Sequence, residues 1–303
     1  MKRNRLFHRV AQSGERVDAL VQSAKSYLRF SLLWARAIVN IRRGTDPTFK
    51  VDGRSLIVSM TSIPSRLLGI PITLDSIFRQ SVKPTRLILW LPRRRFPTPA
   101  RVPWWVRALA RRGLEIHLSE TDRPHDKLLP AIQAHPTAIV VTVDDDIIYS
   151  PRMIARLLDG HRDFPETVVC HSARSIRFTS SGNPALYETW TLNDPALHTP
   201  SHKVLPLGVM GVLYPPASLH PDALNAQMAA ELAPTADDLW FKVMALRHGT
   251  KAMLLRPDST VATAVPFSQK VSLWAFNQHA AGNMQQWCGL LSRFHLSVDD
   301  FQD

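Results

Sequence analysis

From about residue 50 onward, short apolar runs alternate with stretches of helical periodicity. Leu56-Ile57-Val58-Ser59-Met60 reads as a first strand, Pro71 to Gln80 as a helix and Leu87 to Leu91 as a second strand. Trp104 to Arg112 reads as a second helix, Glu115 to Leu118 as a third strand, Lys127 to Ala134 as a third helix and Ala138 to Val143 as a fourth strand. This alternation predicts a mostly parallel sheet covered by helices on both faces. The second half is less regular. Val168 to Cys170 and Val209 to Tyr214 read as strands, and Asp237 to His248 as a helix ending at Gly249.

Residues 1–45 have a different character. No proline precedes Pro47, and Gly14 is the one glycine before Gly44, so a helix or two is expected. Between Ser26 and Arg43, the residues Leu28, Leu32, Trp34, Ala37, Ile38 and Ile41 make a broad apolar side. Lys25, Arg29, Arg36, Asn40 and Arg43 recur at helical steps and make a cationic stripe. Two readings stay open: an interfacial helix on an anionic membrane, or a helix packed on the main domain with a solvated basic face. The expected organisation is a basic amphipathic helical extension over residues 1–50 and an α/β domain over 51–303. The start is basic, but Gln12, Ser13, Gly14, Glu15 and Arg16 stand where a signal peptide has its apolar core. No run of 18 apolar residues suggests a membrane span.

The chain has 303 residues, 45% of them hydrophobic, and a formal charge of +12. That size suits one large domain, and the sign favours an anionic partner. Two cysteines, Cys170 and Cys288, exclude a disulfide scaffold and point to a reducing, cytoplasmic compartment. Arg93, Arg94, Arg95, Arg101, Arg107, Arg111 and Arg112 cluster around four prolines, beside Trp104-Trp105. No nucleic-acid-binding signature accompanies them, so a solvated or lipid-facing basic loop is expected, and no nucleic-acid partner.

The fourth strand ends in Asp144-Asp145-Asp146. Three carboxylates at a strand's carboxyl end repel one another and are costly to desolvate. A divalent cation would remove that cost, and hard oxygen ligands suit Mg²⁺ or Mn²⁺. The plainer alternative is a solvated acidic turn.

Four segments taken together resemble bacterial nucleotide-sugar-dependent glycosyltransferases of the GT-A fold, family 2-like, that build surface glycans. They are Thr61-Ser62-Ile63-Pro64-Ser65-Arg66, Lys127-Leu128-Leu129-Pro130, Asp144 to Tyr149 and Ala236-Asp237-Asp238-Leu239-Trp240-Phe241. The segment Ile72 to Pro84 is also similar to that family's first helix and following turn. The resemblance covers about residues 54 to 290. It implies an α/β, GT-A-like fold: a Rossmann-like nucleotide-binding half and a mixed central sheet flanked by helices, here with a helical amino-terminal extension.

The resemblance also implies roles. Asp146 and Asp144 match the family's Asp-x-Asp motif and would hold Mn²⁺ or Mg²⁺, with Asp144 also facing ribose or sugar hydroxyls. Three acids in a row leave the register open and keep Asp145 in play. Thr61, Ser62, Pro64 and Arg66 would line the nucleotide, against the alternative of an ordinary strand-to-helix loop. Lys127 would meet the diphosphate or the acids; otherwise it is a lysine with a solvated head. Asp238 would be the general base that takes the acceptor proton, with Asp237 as helix cap or supporting group. The competing reading makes both acids simple caps. Gly208 and Gly211, three apart, would let the backbone approach the acceptor side. Trp240 would stack on a sugar there, against the commoner role of a buried tryptophan. Asn277 to Gln286 resembles a late polar motif, but Met284 stands where an acid is often expected.

The expected partners are a nucleotide-sugar donor and a glycan or glycolipid acceptor, with peripheral contact to the anionic inner face of the plasma membrane. Two alternatives stand beside this one. A nucleotidyltransferase would share the acidic metal site, but Thr61 to Arg66 has neither the glycine nor the lysine such enzymes carry. A basic protein binding nucleic acid or anionic lipid would leave the acids structural.

Overall fold

The computed structural model describes residues 22–41, 50–51, 53–257, 262–268 and 282–303. Helix α1 spans residues 22–40. The first half then runs β1 (Lys50–Val51), β2 (Arg54–Thr61), α2 (Ile70–Phe78), β3 (Arg86–Pro92), α3 (Trp104–Arg107), β4 (Leu114–Ser119), α4 (Leu129–Ala134) and β5 (Ile139–Thr142). The second half runs β6 (Ile147–Ile148), α5 (Met153–Asp163), β7 (Val168–Cys170), β8 (Ala173–Ser175), β9 (Val204–Pro206) and β10 (Val212–Tyr214). It ends with α6 (Ala226–Leu232), α7 (Asp237–Arg247), β11 (Ala252–Leu254), β12 (Thr263–Ala264) and α8 (Gly282–Phe294).

The main sheet has the order β11-β7-β10-β5-β2-β3-β4, with β1 paired to β2. β2, β3, β4 and β5 are parallel to one another, and β10 is antiparallel to both β5 and β7. The architecture is therefore α/β with a mixed, mostly parallel central sheet flanked by helices.

Strand alternation divides the apolar residues between two cores. Ile57, Ile88, Trp90 and Val140 join α4, α7 and α8 on one face. Leu56, Val58, Met60, Leu87, Leu89, Ile139 and Val141 join α2, α3 and α5 on the other. Both faces are covered, which is why these strands read as unbroken apolar runs.

β2 has β3 and β4 on one side and β5 on the other, so the order in which strands are added reverses at β2. In open α/β sheets the crevice beyond the strand ends at such a point receives ligands. The loops entering it here are Thr61 to Arg66 after β2 and Asp144 to Asp146 after β5.

Three expected elements differ. The helix expected over Trp104 to Arg112 is α3 followed by a 3₁₀ turn, Ala108–Arg112, closed by Gly113 at φ 92. The strand expected over Val209 to Tyr214 is a 3₁₀ turn, Gly208–Met210, and then β10. Gly211, at φ 99, makes that break, and a Cβ there would lie 3.0 Å from Met153 Sδ. The helix expected from Lys127 starts at Leu129, after a 3₁₀ turn over Pro124–Lys127.

The carboxyl-terminal part of α1 packs on the core. Asp75 of α2 accepts from Asn40 Nδ2 at 3.0 Å, Arg36 Nη2 at 3.3 Å, Arg79 Nε at 3.0 Å and Arg112 Nη1 at 3.1 Å. Arg36 and Asn40 of the cationic stripe thus face protein, and Arg112 of the basic loop is buried. Tyr27, Leu28, Leu32 and Val39 remain exposed. Residues 1–21 and Arg43 lie outside the described residues. Among the described residues no helix is long and apolar enough to cross a membrane.

Candidate active site

A cavity of about 830 Å³ opens over the crevice. The β2 side contributes Thr61, Ser62, Ile63 and Arg66, and the β5 side Val143 to Asp146. Lys127 lines it from below, and Ala236 to Leu239 from the start of α7. Ser172, Arg174, Tyr187, Leu192, Leu207 and Val209 also line it.

The acid triplet is fixed through its backbone. Val143 N–H donates to Ser59 O at 3.1 Å, and Thr73 Oγ1 donates to Asp145 O at 3.0 Å. Asp144 N–H donates to Tyr149 Oη at 2.8 Å, and that hydroxyl donates to Val209 O at 3.2 Å. The three carboxylates then have different partners. Asp145 is buried and accepts from Ser62 Oγ at 2.5 Å and Arg66 Nη1 at 2.7 Å. Arg66 Nη1 also lies 3.4 Å from Asp146 Oδ2. Burial pushes the Asp145 carboxyl up, with Arg66 and Ser62 opposing. Burial also pushes Asp146 up, to about 6; Arg66 opposes this and the Asp144 and Asp145 carboxylates add to it.

Ser62 and Arg66 line the cavity and engage the acids there. Thr61 lines the cavity and its Oγ1 donates to Trp90 O at 3.1 Å. Pro64 opens the 3₁₀ turn Pro64–Arg66 and is not part of the lining.

Lys127 has no solvated head. It is buried, and its Nζ lies 2.9 Å from Asp144 Oδ1 and 2.9 Å from Asp237 Oδ2. Burial opposes its charge, but Asp144, Asp237 and Asp238 outweigh that and hold its pKa well above the usual lysine range.

The capping reading of Asp237 and Asp238 does not hold. The residue before α7 is Ala236, and no side chain caps the helix. Asp237 pairs with Lys127 instead. Asp238 reaches across to the Gly208 N–H, which donates to its Oδ1 and Oδ2 at 3.1 and 3.2 Å. Its carboxyl is pushed up to about 7 by burial and then by Asp237, with Lys127 opposing.

Gly208 is needed for close approach, but to side chains of its own chain: a Cβ there would lie 2.5 Å from Lys127 Nζ and 3.2 Å from Asp238 Oδ1. Gly211 abuts Met153 and does not line the cavity. Trp240 is no acceptor platform. It is fully buried, and its Nε1 donates to Ala223 O at 3.2 Å. Met284 packs against the apolar core, while Asn283 beside it lines the cavity. Residues 277–281 of that motif lie outside the described residues.

Sequence reasoning missed Arg123, Arg174 and Tyr187, which also line the cavity. Arg123 stands next to Pro124, four residues before Lys127, and that nearness was an available signal. Arg174 lies in the three-residue strand β8 and Tyr187 in a short 3₁₀ turn, and no sequence pattern singles either out.

Among the described residues, no three His, Cys, Asp or Glu side chains gather around a point that could hold a metal. Six carboxylates line the cavity, and Asp144 and Asp146 are the two of them that the Asp-x-Asp resemblance names. Two hard oxygen ligands on an open cavity fit a Mg²⁺ or Mn²⁺ that keeps its waters and takes phosphate oxygens from a substrate. The raised pKa of Asp146, set first by burial and added to by Asp144 and Asp145, is the electrostatic need such an ion meets.

No protein-family model and no curated protein sequence matches the chain. Its fold is similar to several solved structures. One is the mannosyltransferase PcManGT from Pyrobaculum calidifontis in complex with GDP-Man and Mn²⁺, at 16% identity over 90% of this chain and 75% of that one, with a TM-score of 0.47. Another is S. aureus TarS 1-349 in complex with UDP, at 15% identity over 67% and 58%, TM-score 0.42. A third is CMP:2-keto-3-deoxy-manno-octonic acid synthetase complexed with CTP, at 14% identity over 74% and 99%, TM-score 0.43. Glycosyl- and nucleotidyltransferases both occur among these, and at such identities and scores none of them assigns an activity.

Proposed function

We propose that the chain is a metal-dependent glycosyltransferase that moves a sugar, with inversion, from a nucleotide-sugar donor to a hydroxyl of a glycan or glycolipid acceptor. One observation carries this reading. A carboxylate held near pKa 7, Asp238, lines the same cavity as the acid triplet at the switch point of the sheet. Acids that can meet a bound diphosphate and a base that can meet an attacking hydroxyl are what direct displacement at an anomeric carbon requires.

In the proposed reaction, the acceptor oxygen forms a bond to the anomeric carbon as the bond to the donor diphosphate breaks. Asp238 takes the acceptor proton, and the nucleoside diphosphate leaves. Asp144 and Asp146 would hold the divalent ion, which when bound neutralises the charge on the leaving diphosphate. Arg66 opposes the burial that raises the Asp145 carboxyl and holds it in place. Lys127 holds Asp144 and Asp237 at a fixed separation, and so sets Asp238 relative to the donor end. The exposed apolar side of α1, with the exposed Lys25 and Arg29, supports contact with an anionic membrane surface. A nucleotidyltransferase is disfavoured because the loop after β2 offers neither glycine nor lysine to cradle a triphosphate.

A thermal-shift panel tests the reading. UDP-, GDP-, CMP- and dTDP-sugars are compared with CTP and UTP, each with and without Mn²⁺. A rise in midpoint that needs both the metal and one nucleotide-sugar is expected. A response to a nucleoside triphosphate alone would favour nucleotidyl transfer, and no metal-dependent response would reject both.

A further inference from the structure

We infer that the cavity binds an anionic group, a carboxylate or a phosphate, and that Arg174 recognises it. Calling the bearer of that group the acceptor rests on the glycosyl-transfer reading; the anion site itself does not.

The basic side chains of the cavity fall into two kinds. Arg66 and Lys127 are each matched by two carboxylates. Arg174 has none: among the described residues, no carboxylate pairs with it. Its Nη1 donates to Trp190 O at 2.7 Å, and its guanidinium carbon lies 5.1 Å from the centre of the Tyr187 ring. A carbonyl and an aromatic face hold the fork in place without neutralising it, and a guanidinium has five N–H donors to offer.

The strand fixes which way the fork lies. In β8, Ala173 is fully buried in the core and Arg174 lines the cavity. Arg174 pairs with Leu205 of β9 on one side and bridges to Leu192, another cavity residue, on the other. An ordered, partly buried guanidinium facing a cavity is a preformed site for a planar or tetrahedral oxyanion.

Its place in the cavity points to the acceptor side. Tyr187, which Arg174 stacks on, is near enough to Asp238 for that carboxylate to help raise its hydroxyl, after burial, to about 12. Arg174 therefore shares the cavity with the proposed base. Asp122, Asp144, Asp145, Asp146, Asp237 and Asp238 all line the cavity. An anionic ligand is repelled by that wall unless a cation receives it elsewhere, and Arg174 supplies one. Arg123 at the rim is a second cation without a carboxylate partner among the described residues; its Nη1 donates to Pro234 O at 3.3 Å.

The Arg174 Nε–H resonance, assigned by its loss in R174Q, reports binding directly in the full chain labelled with ¹⁵N-arginine. Sodium D-glucuronate, inorganic phosphate and D-glucose are titrated at constant ionic strength. A saturating displacement at millimolar glucuronate or phosphate, and none with glucose, is expected. By isothermal titration calorimetry of the same anions, R174Q should weaken binding about tenfold or more, and R174K should retain part of it. Response to phosphate alone assigns a phosphate-bearing ligand, and response to glucuronate alone a carboxylate-bearing one. No displacement, or one equal to that of the exposed Arg94, overturns the inference. A wild-type protein that binds these anions but answers no nucleotide-sugar would keep the anion site and reject the glycosyl-transfer reading.

Discussion

The Lys127 ammonium lies 2.9 Å from Oδ2 of Asp237, the first residue of α7. The same nitrogen lies 2.9 Å from Asp144 Oδ1, so one buried cation ties the acid triplet to the helix that carries Asp238. Severing such a pair leaves a buried charge without compensation, so the lysine is held in place on both sides.

Gly208→Ala tests that clamp without changing any charge. The added Cβ would sit 2.5 Å from Nζ, which cannot withdraw without loosening Asp144 or Asp237. A displacement of about 1 Å near the reacting groups is expected to reduce transfer about 10–100-fold. Far-UV circular dichroism should stay unchanged. Wild-type transfer by this variant would show that the lysine's position does not matter.

The pKa of Asp238 gives two pH signatures of opposite sense. As a base it must be ionised, so kcat/KM should rise about tenfold per pH unit below 7 and level off above it. For stability, the folded carboxyl holds its proton up to about 7, whereas an unfolded one releases it near 3.8. The folded state binds the extra proton between these values. The stabilisation is complete below about 3.8 and fades as pH rises through about 7. Asp238→Asn should therefore raise the melting temperature relative to wild type more at pH 8 than at pH 5. An equal difference at both pH values would mean that Asp238 titrates normally.

The parallel half of the fold is legible because its strands are buried on both faces and its helices are periodic. The acid triplet is legible because three carboxylates on a buried strand stand out chemically. What the triplet binds to is not legible. Arg66, Ser62 and Lys127 meet it through contacts 79, 83 and 17 residues apart in the chain. Lys127 in isolation looks like any lysine near a helix start. Trp240 misleads because α7 is apolar nearly all round, so no periodicity marks which side faces the cavity. Asp237 and Asp238 look like caps because acids at helix starts usually are; here the cavity supplies other partners.

Arg66→Met should destabilise the protein by roughly 3–5 kcal/mol, because it strands the buried Asp145 carboxylate. Adding Asp145→Asn should recover much of the loss. Urea denaturation of both variants reads this, and a double variant no more stable than the single one would deny that the pair is the cause.

Deleting residues through 41 should lower the melting temperature, since Asn40 and Arg36 hold Asp75 and since Ala37 and Ile41 are buried. Exposed Leu28 and Leu32 point away from that contact. Leu28→Ser with Leu32→Ser should leave the melting temperature within a degree or two, and should reduce sedimentation with anionic liposomes. Unchanged liposome binding would remove α1 from the membrane contact.

The most direct measurement is single-turnover sugar transfer by Asp238→Asn, once the responding donor is known. Asparagine keeps an oxygen for the Gly208 N–H but is no base at neutral pH. Transfer should fall roughly 10²–10⁴-fold, while the Mn²⁺-dependent thermal shift with donor stays as in wild type. Transfer at a near-normal rate by Asp238→Asn would contradict the assignment of Asp238 as the base.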